Sequence, residues 1–347
     1  MTDMIAAQRA TLMFAEAGEA GDAVARFLAA NGAAIAALAQ RLRAAPPAVI
    51  VTCARGSSDH AATYGKYLFE TLLGVPVASA APSVASVYAA PVARGEGERL
   101  VIAISQSGRS PDLIATVAAH QQAGAHVVAL VNDAESALAT MADTLLPLCA
   151  GPETSVAATK SCLVAMAGLA AIAADWAGDD ALAAAVVALP TRLPAAFAAD
   201  WSAAQNALVA ANNLFVLGRG YGFGIAQEAA LKLKETCALH AEAFSAAEVR
   251  HGPMTIVGEG FPILAFATSD AAGDAVRAVA AEFAERGAIV RMADARGGGA
   301  LPAEASHPAI EPLLMLQSFY RLANAVSLAR GLDPDQPPHL AKVTRTL

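Results

Sequence analysis

Ser105-Gln106-Ser107-Gly108-Arg109-Ser110 places three hydroxyls, an amide and a glycine in six consecutive residues. Such a run supplies short, neutral donors suited to an anion. Pro111-Asp112-Leu113-Ile114 starts a helix directly behind it, and a helix N-terminus adds unpaired N–H groups and a partial positive charge. Gly108 lets the backbone come close to a ligand. No Gly-Lys-Ser/Thr follows, so this is not a Walker loop, and the glycine triplet of a dinucleotide fold is missing. Neutral donors point to a small phosphorylated metabolite and away from a nucleotide. The plainer alternative is an ordinary polar strand-to-helix turn.

A second constellation lies further on. Glu228, Lys232 and Glu235 are spaced i, i+4, i+7 and share one face of a helix expected over Ile225–Leu239. A solvated stripe with a helix-stabilising Glu–Lys pair, worth about 0.2–0.5 kcal/mol, would give the same spacing. The segment is otherwise largely apolar, and His240-Ala241-Glu242 and Glu248-Val249-Arg250-His251-Gly252-Pro253 follow it. Histidines and carboxylates this dense need more explanation than solvation offers. A partly buried carboxylate beside a lysine can be tuned to shuttle a proton. His251, in a turn before Gly-Pro, suits acid–base work. Metal binding is the weaker reading, since no His pair has ligand spacing.

The elements that hold these residues alternate. After an N-terminal helical segment (1–44, helical from about residue 4), Ala48–Cys53 reads as a strand and Asp59–Leu73 as a helix. The extended Val75–Val77 comes next, then the strand at Leu100–Ile104, a helix to about Gly124, and the strand Val127–Val131. Alternating β and α with short polar turns predicts a parallel sheet covered on both faces. Pro190-Thr191-Arg192-Leu193-Pro194 marks a linker over 189–204. Beyond it Leu214–Gly218, Ile263–Phe266 and Gly287–Val290 echo the first half at an offset of roughly 160 residues, as a duplication would. Two domains, 45–188 and 205–347, follow from this. Where the first copy has Ser105-Gln106-Ser107-Gly108, the second has Ala267-Thr268-Ser269-Asp270. An aspartate there repels phosphate, so the anion site is expected in the first copy only. Ligands of open parallel sheets sit beyond the carboxyl ends of the strands, where Ser58 and Ser105 both fall.

With 347 residues and a formal charge of −8, the chain is long enough for two α/β domains and lacks the basic balance of a partner for nucleic acid or anionic lipid. Cys53, Cys149, Cys162 and Cys237 are far apart and read as reduced thiols of a cytoplasmic protein. Met1-Thr2-Asp3-Met4 shows no signal peptide. The greasiest stretch, Cys162–Ala174, reads as too short to span a bilayer and more suited to a buried helix, so a soluble protein without membrane contact is expected.

Taken in order, these motifs resemble the SIS (sugar isomerase) family, most closely the isomerase half of the glutamine–fructose-6-phosphate aminotransferases. The match is carried by Arg55-Gly56-Ser57-Ser58, Ser105-Gln106-Ser107-Gly108, Glu153 with Val156-Ala157-Ala158-Thr159-Lys160, and Gly218-Arg219-Gly220. It continues through Glu228–Glu235, His240-Ala241-Glu242-Ala243, His251-Gly252-Pro253, and Asp333-Pro334-Asp335-Gln336-Pro337 with Leu340-Ala341-Lys342. The resemblance implies an α/β fold of two tandem SIS domains, each a flavodoxin-like three-layer unit. It further implies that Ser105, Gln106, Ser107 and Ser110 hold a sugar phosphate. Ser58, Val156, Ala158 (often serine in the family) and Ala341 would line the sugar. Glu235 would be the base moving a proton between C1 and C2, with Lys232 and Glu228 beside it. His251 would open the ring from a neighbouring subunit of a homodimer, and Lys342 would meet the open-chain sugar.

The resemblance implies no cofactor and no metal. Those aminotransferases begin with a glutaminase domain whose cysteine follows the initiator Met, whereas here Thr2 follows Met1. The expectation is therefore a glutamine-independent deaminase, taking glucosamine 6-phosphate to fructose 6-phosphate and ammonia. A ketose/aldose phosphate isomerase or another fructosamine-phosphate enzyme is the alternative within the family. A non-catalytic sugar-phosphate regulator is the alternative of another class, disfavoured by Glu235, His251 and Lys342 occurring together.

Overall fold

The computed structural model describes residues 11–95 and 97–342. The expected N-terminal helix before residue 11, and the last domain beyond residue 342, lie outside the described residues.

Apolar runs build the first sheet. Val49–Cys53 (β1), Val77–Ser79 (β2), Arg99–Ser105 (β3), His126–Val131 (β4) and Thr144–Pro147 (β5) pair in the order β2-β1-β3-β4-β5, and every pairing is parallel. Nearly all of β3 and β4 is buried on both faces, which is why they read as continuous Val/Ile/Leu/Ala runs without alternation. Val51, Val101, Ala103, Val127 and Ala129 share one apolar cluster with Leu113 and Val117.

The second sheet repeats the first. Asn213–Gly218 (β6), His240–Ser245 (β7), Pro262–Ala267 (β8) and Ile289–Asp294 (β9) run in the order β7-β6-β8-β9, again all parallel. Matching strands begin roughly 160 residues apart, as Val49 and Asn213 or Arg99 and Pro262 do. His240-Ala241-Glu242, expected as part of a charged cluster, is the edge strand of this sheet. The core beneath it centres on Phe215, Ile263, Val276 and Phe283, with Phe244 and Phe261 edge-on to Phe215 at centroid distances of 4.8 and 4.9 Å.

The helices that matter for function are Leu12–Gly18 (α1), Ala20–Ala44 (α2), Ser57–Leu73 (α3), Pro82–Ser86 (α4), Pro111–Gln122 (α5), Ala137–Met141 (α6), Lys160–Ala177 (α7) and Asp180–Ala198 (α8). They continue with Ser202–Ala210 (α9), Phe223–Cys237 (α10), Ala271–Glu285 (α11) and Glu311–Ala329 (α12).

Two expectations need correction. The segment expected as a linker is mostly helix, because Pro190 and Pro194 lie inside α8. Proline there removes two backbone donors and ordinarily breaks a helix. Tertiary packing overrides that cost. The Pro190 carbonyl, which Pro194 cannot satisfy, lies where a Cβ on Gly21 would approach to 2.7 Å, so only glycine allows the close crossing of α2. Arg192 anchors the same turn through Glu304 at 3.0 Å and the Ala305 carbonyl at 2.7 Å. Accordingly, the chain divides into units that are not consecutive halves. Among the described residues one takes 22–152 and 164–187, and the other 11–21, 153–163 and 188–342.

The second correction concerns the apolar helices. The stretch at Cys162 belongs to an 18-residue helix, and α2, α7 and α8 are all long and apolar enough to cross a membrane by length and composition. In α7, 83% of the apolar window is buried inside the protein, so that helix serves as core.

Candidate functional site

The unit built on the first sheet carries the serine loop. β1 and β3 are neighbours, and the chain leaves β1 for β2 on one side and returns to β3 on the other. The crevice at their carboxyl ends is thus a topological switch point, where open parallel sheets bind ligands. Residues 54–58 enter it from β1 and residues 105–110 from β3, so Ser58 and the serine run share one sheet edge.

Within the loop, the Gly108 N–H donates to Ser105 Oγ at 2.9 Å. Gly108 has φ of +62°, and a Cβ there would lie 2.1 Å from Ser136 Oγ, so glycine is required by both conformation and space. Ser110 occupies the N-cap of α5 yet its side chain makes no capping bond; within the first turn the Leu113 N–H donates to the Asp112 carboxylate at 2.8 Å and the Ile114 N–H to the Ser110 carbonyl at 3.0 Å. Gln106 and Ser107 are half-buried. Both nearby arginines are engaged by carboxylates: Arg55 Nε donates to the buried Asp112 at 3.0 Å, and Arg109 to Asp133 at 2.6 Å. Apart from Arg109, the side chains of the loop are neutral.

The other unit carries the charged helix. Glu228 and Lys232 are fully buried on α10, with Lys232 Nζ 3.7 Å from Glu228 Oε1. The same ammonium is ion-paired with Glu235 Oε2. Glu235 keeps 24% side-chain exposure, so it is the member of the triad able to meet a ligand. Burial works against the charge on Lys232, but Glu228 and Glu235 outweigh it and raise its pKa above the ordinary 10.5. The solvated-stripe alternative does not hold: a buried pair of this kind costs about 3–5 kcal/mol when one partner is removed, roughly ten times an exposed helical pair.

A second cluster in this unit joins the 153–160 segment to the chain's tail. Glu153 accepts from the backbone of Thr159 at 2.9 Å and from the Ser161 hydroxyl at 2.6 Å, capping the start of α7. Lys342 Nζ donates to the Ser155 carbonyl at 2.7 Å and lies 3.6 Å from Glu153. Val156 N–H donates to the Asp335 carbonyl, while the Asp335 carboxylate caps α1 through Leu12 and Met13 at 2.6 and 2.7 Å. Val156, Ala158 and Lys342 are thus brought onto one loop-and-tail junction, with Ala341 exposed beside it. His251 stands apart. It is exposed on the turn after Glu248–Arg250, and no hydrogen bond or ion pair joins it to Glu235 among the described residues.

The profile of the SIS domain matches residues 46–174 and 207–307, which are the two repeated sheets. The chain belongs to the SIS family. Glutamine–fructose-6-phosphate aminotransferase [isomerizing] of Aeropyrum pernix is 35% identical over 309 residues, covering 83% of this chain and 49% of that protein. This SIS chain spans about half the length of the curated relatives it matches. A crystal structure described as a candidate phosphosugar isomerase of Silicibacter pomeroyi is 44% identical, covers 94% of this chain and all of its own, and superposes with a TM-score of 0.88. The glucosamine-6-phosphate deaminase of Thermotoga maritima, 22% identical, covers 97% of this chain and 100% of its own at a TM-score of 0.77, a likeness of fold.

Residues that sequence reasoning left unassigned also emerge. Tyr320 of α12 donates to Glu228 at 3.2 Å, and the Cys162 thiol is in hydrogen-bond reach of the Tyr320 hydroxyl. Ninety-two residues separate Tyr320 from Glu228, and no local pattern signals such a partner.

Proposed function

We propose that this SIS protein interconverts amino-sugar and ketose phosphates, with glucosamine 6-phosphate going to fructose 6-phosphate and ammonia. The observation that carries the reading is the Glu228–Lys232–Glu235 triad, in which one carboxylate with access to ligand shares a buried ammonium with another that has none. The serine loop of the first sheet holds the phosphate through neutral donors and the α5 N-terminus. His251 opens the pyranose ring, contributed by the second protomer of a homodimer. In the open chain, Glu235 takes the proton from C2 while Lys342 stabilises the oxyanion forming at O1, and the buried Lys232 ammonium pairs with Glu235 from behind. Return of that proton to C1 converts the enolamine into a C2 imine. Water adds at C2, the C–N bond breaks, and ammonia leaves with the proton it needs. Hexosamine phosphate and one water thereby give ketose phosphate and ammonia.

A nitrogen-free aldose–ketose isomerisation would use the same base and the same grip. The deaminase reading is preferred because the curated relatives that align with most of this chain are named as aminotransferases of fructose 6-phosphate, a reaction that changes nitrogen on a hexose phosphate. The deciding experiment supplies purified protein with glucosamine 6-phosphate and measures ammonia and fructose 6-phosphate together, beside a panel of ketose and aldose phosphates. Equal release of both products supports deamination; turnover confined to nitrogen-free substrates would replace it with isomerisation. A fully active monomer in sedimentation would remove the shared His251.

A further inference from the structure

Glu228 is closed off from ligand, yet it shares the Lys232 ammonium with Glu235. Its surroundings come from three elements. Its own helix α10 contributes Lys232, with Glu235 on the far side of that ammonium. From α12 comes the Tyr320 hydroxyl, 3.2 Å from Oε1. From α7 comes the Cys162 thiol, which feels Glu228, Tyr320, Lys232 and, from the preceding loop, Glu153. Glu153 is itself held by Thr159, Ser161 and Lys342.

Tyr320 and Cys162 both stay neutral here. Burial pushes each well above its ordinary range, and the nearby Glu228 charge adds to that. A tyrosine that keeps its proton beside a buried carboxylate acts as a donor to it. That bond and the ammonium then compete for one carboxylate, and what Tyr320 supplies to Glu228 need not come from Lys232.

We infer that Tyr320 is a positioning residue for proton transfer: by donating to Glu228, it sets how the Lys232 ammonium divides between Glu228 and Glu235. The inference rests on the reading of Glu235 as the base, but its geometry does not. Without the hydroxyl, Glu228 draws the ammonium toward itself, and Glu235 is left with a weaker cation and holds a proton to higher pH. A tyrosine that merely filled the core would leave the proton affinity of Glu235 unchanged.

The test uses Tyr320→Phe in the full chain, which keeps the ring and removes the oxygen. Two readouts are taken: the pH profile of kcat/KM with glucosamine 6-phosphate, and the ¹³C-carboxyl titration of Glu235 in labelled protein, assigned with Glu235→Gln. The expected result is an upward move of about half a pH unit in both the acid limb and the midpoint, with KM changed less than about twofold. Incorporation of 3-fluorotyrosine at position 320, a stronger donor of nearly the same size, moves the midpoint downward, and it decides the matter if Tyr320→Phe does not fold. A midpoint that stays put in both, or moves the same way in both, overturns the inference. A midpoint that moves while the kinetic limb does not leaves Tyr320 in its role and removes Glu235 as the base. The carboxyl titration decides the inference even if no hexose phosphate is turned over.

Discussion

The loop after β3 and the loop after β8 occupy the same place in two copies of one fold, and they have gone opposite ways. In the first, Ser105–Ser110 leads into α5, and the Ser110 side chain makes no capping bond while Asp112 takes the Leu113 N–H at 2.8 Å. In the second, Asp270 caps α11 by accepting from Gly273 at 3.1 Å and from the Thr268 hydroxyl at 2.6 Å. Glu311 takes the Ser269 N–H at 2.7 Å as well. Two internal carboxylates therefore fill the second loop, whereas residues 105–110 of the first contain no carboxylate and the Gly108 N–H goes to the Ser105 hydroxyl. A helix N-terminus is attractive to anions in either place; what differs is where the chain places its own carboxylate, inside the helix at Asp112 in the first copy and in the capping loop at Asp270 in the second. The second copy has turned to proton chemistry on α10, and the corresponding helix of the first copy, α3, opens with Ser57-Ser58-Asp59 and carries no such triad.

Three variants put this divergence at risk. Glu235→Gln keeps shape and removes the base, so kcat should fall by about 10²–10⁴-fold with KM little changed. Survival of turnover would take the chemistry away from the second copy. Ser105→Ala with Ser107→Ala should raise KM by about 10²-fold, the scale of losing donors to a charged group, and leave kcat within a small factor. If kcat falls instead, the loop is not a grip. Asp270→Ala should cost about 1 kcal/mol of stability as a lost helix cap, read as a lower denaturant midpoint. A KM change matching that of the serine variant would show that the second loop also meets ligand.

The smallest effect concerns alkaline pH and is common to both copies. Cys53 ends β1 and Cys237 ends α10, and burial raises their pKa values from 9.0 to about 12 and about 11. In the unfolded chain these thiols ionise from about 9, while in the fold they stay neutral. The stability they contribute is complete below that point and is lost as pH rises toward 11–12. Denaturant midpoints measured from neutral pH upward should therefore begin to fall near 9, and Cys53→Ala should flatten the decline. A midpoint unchanged up to pH 11 would show that the thiols are not shielded.

The positions of strands and helices were legible in the sequence because each is written locally. The Leu100–Ile104 run is apolar throughout because both faces of β3 are covered, and the i, i+4, i+7 spacing of Glu228, Lys232 and Glu235 is itself a statement about one helix face. The proline pair misled for a related reason. Its local cost is real, yet Gly21 and the Arg192–Glu304 pair decide α8 from elsewhere in the chain.

Residue order was enough to establish a duplicated parallel α/β chain of the SIS kind, with neutral donors in one loop and a charged face on one later helix. Those properties depend on neighbours a few residues apart, which periodicity records. It took the folded arrangement to establish that Glu228 and Lys232 are sealed from water, that Tyr320 and Cys162 stand against them, and that Lys342 folds back onto Ser155 and Glu153. Burial and long-range pairing set the charge relations of a site, and both arise from segments far apart in the chain that its order does not mark as neighbours.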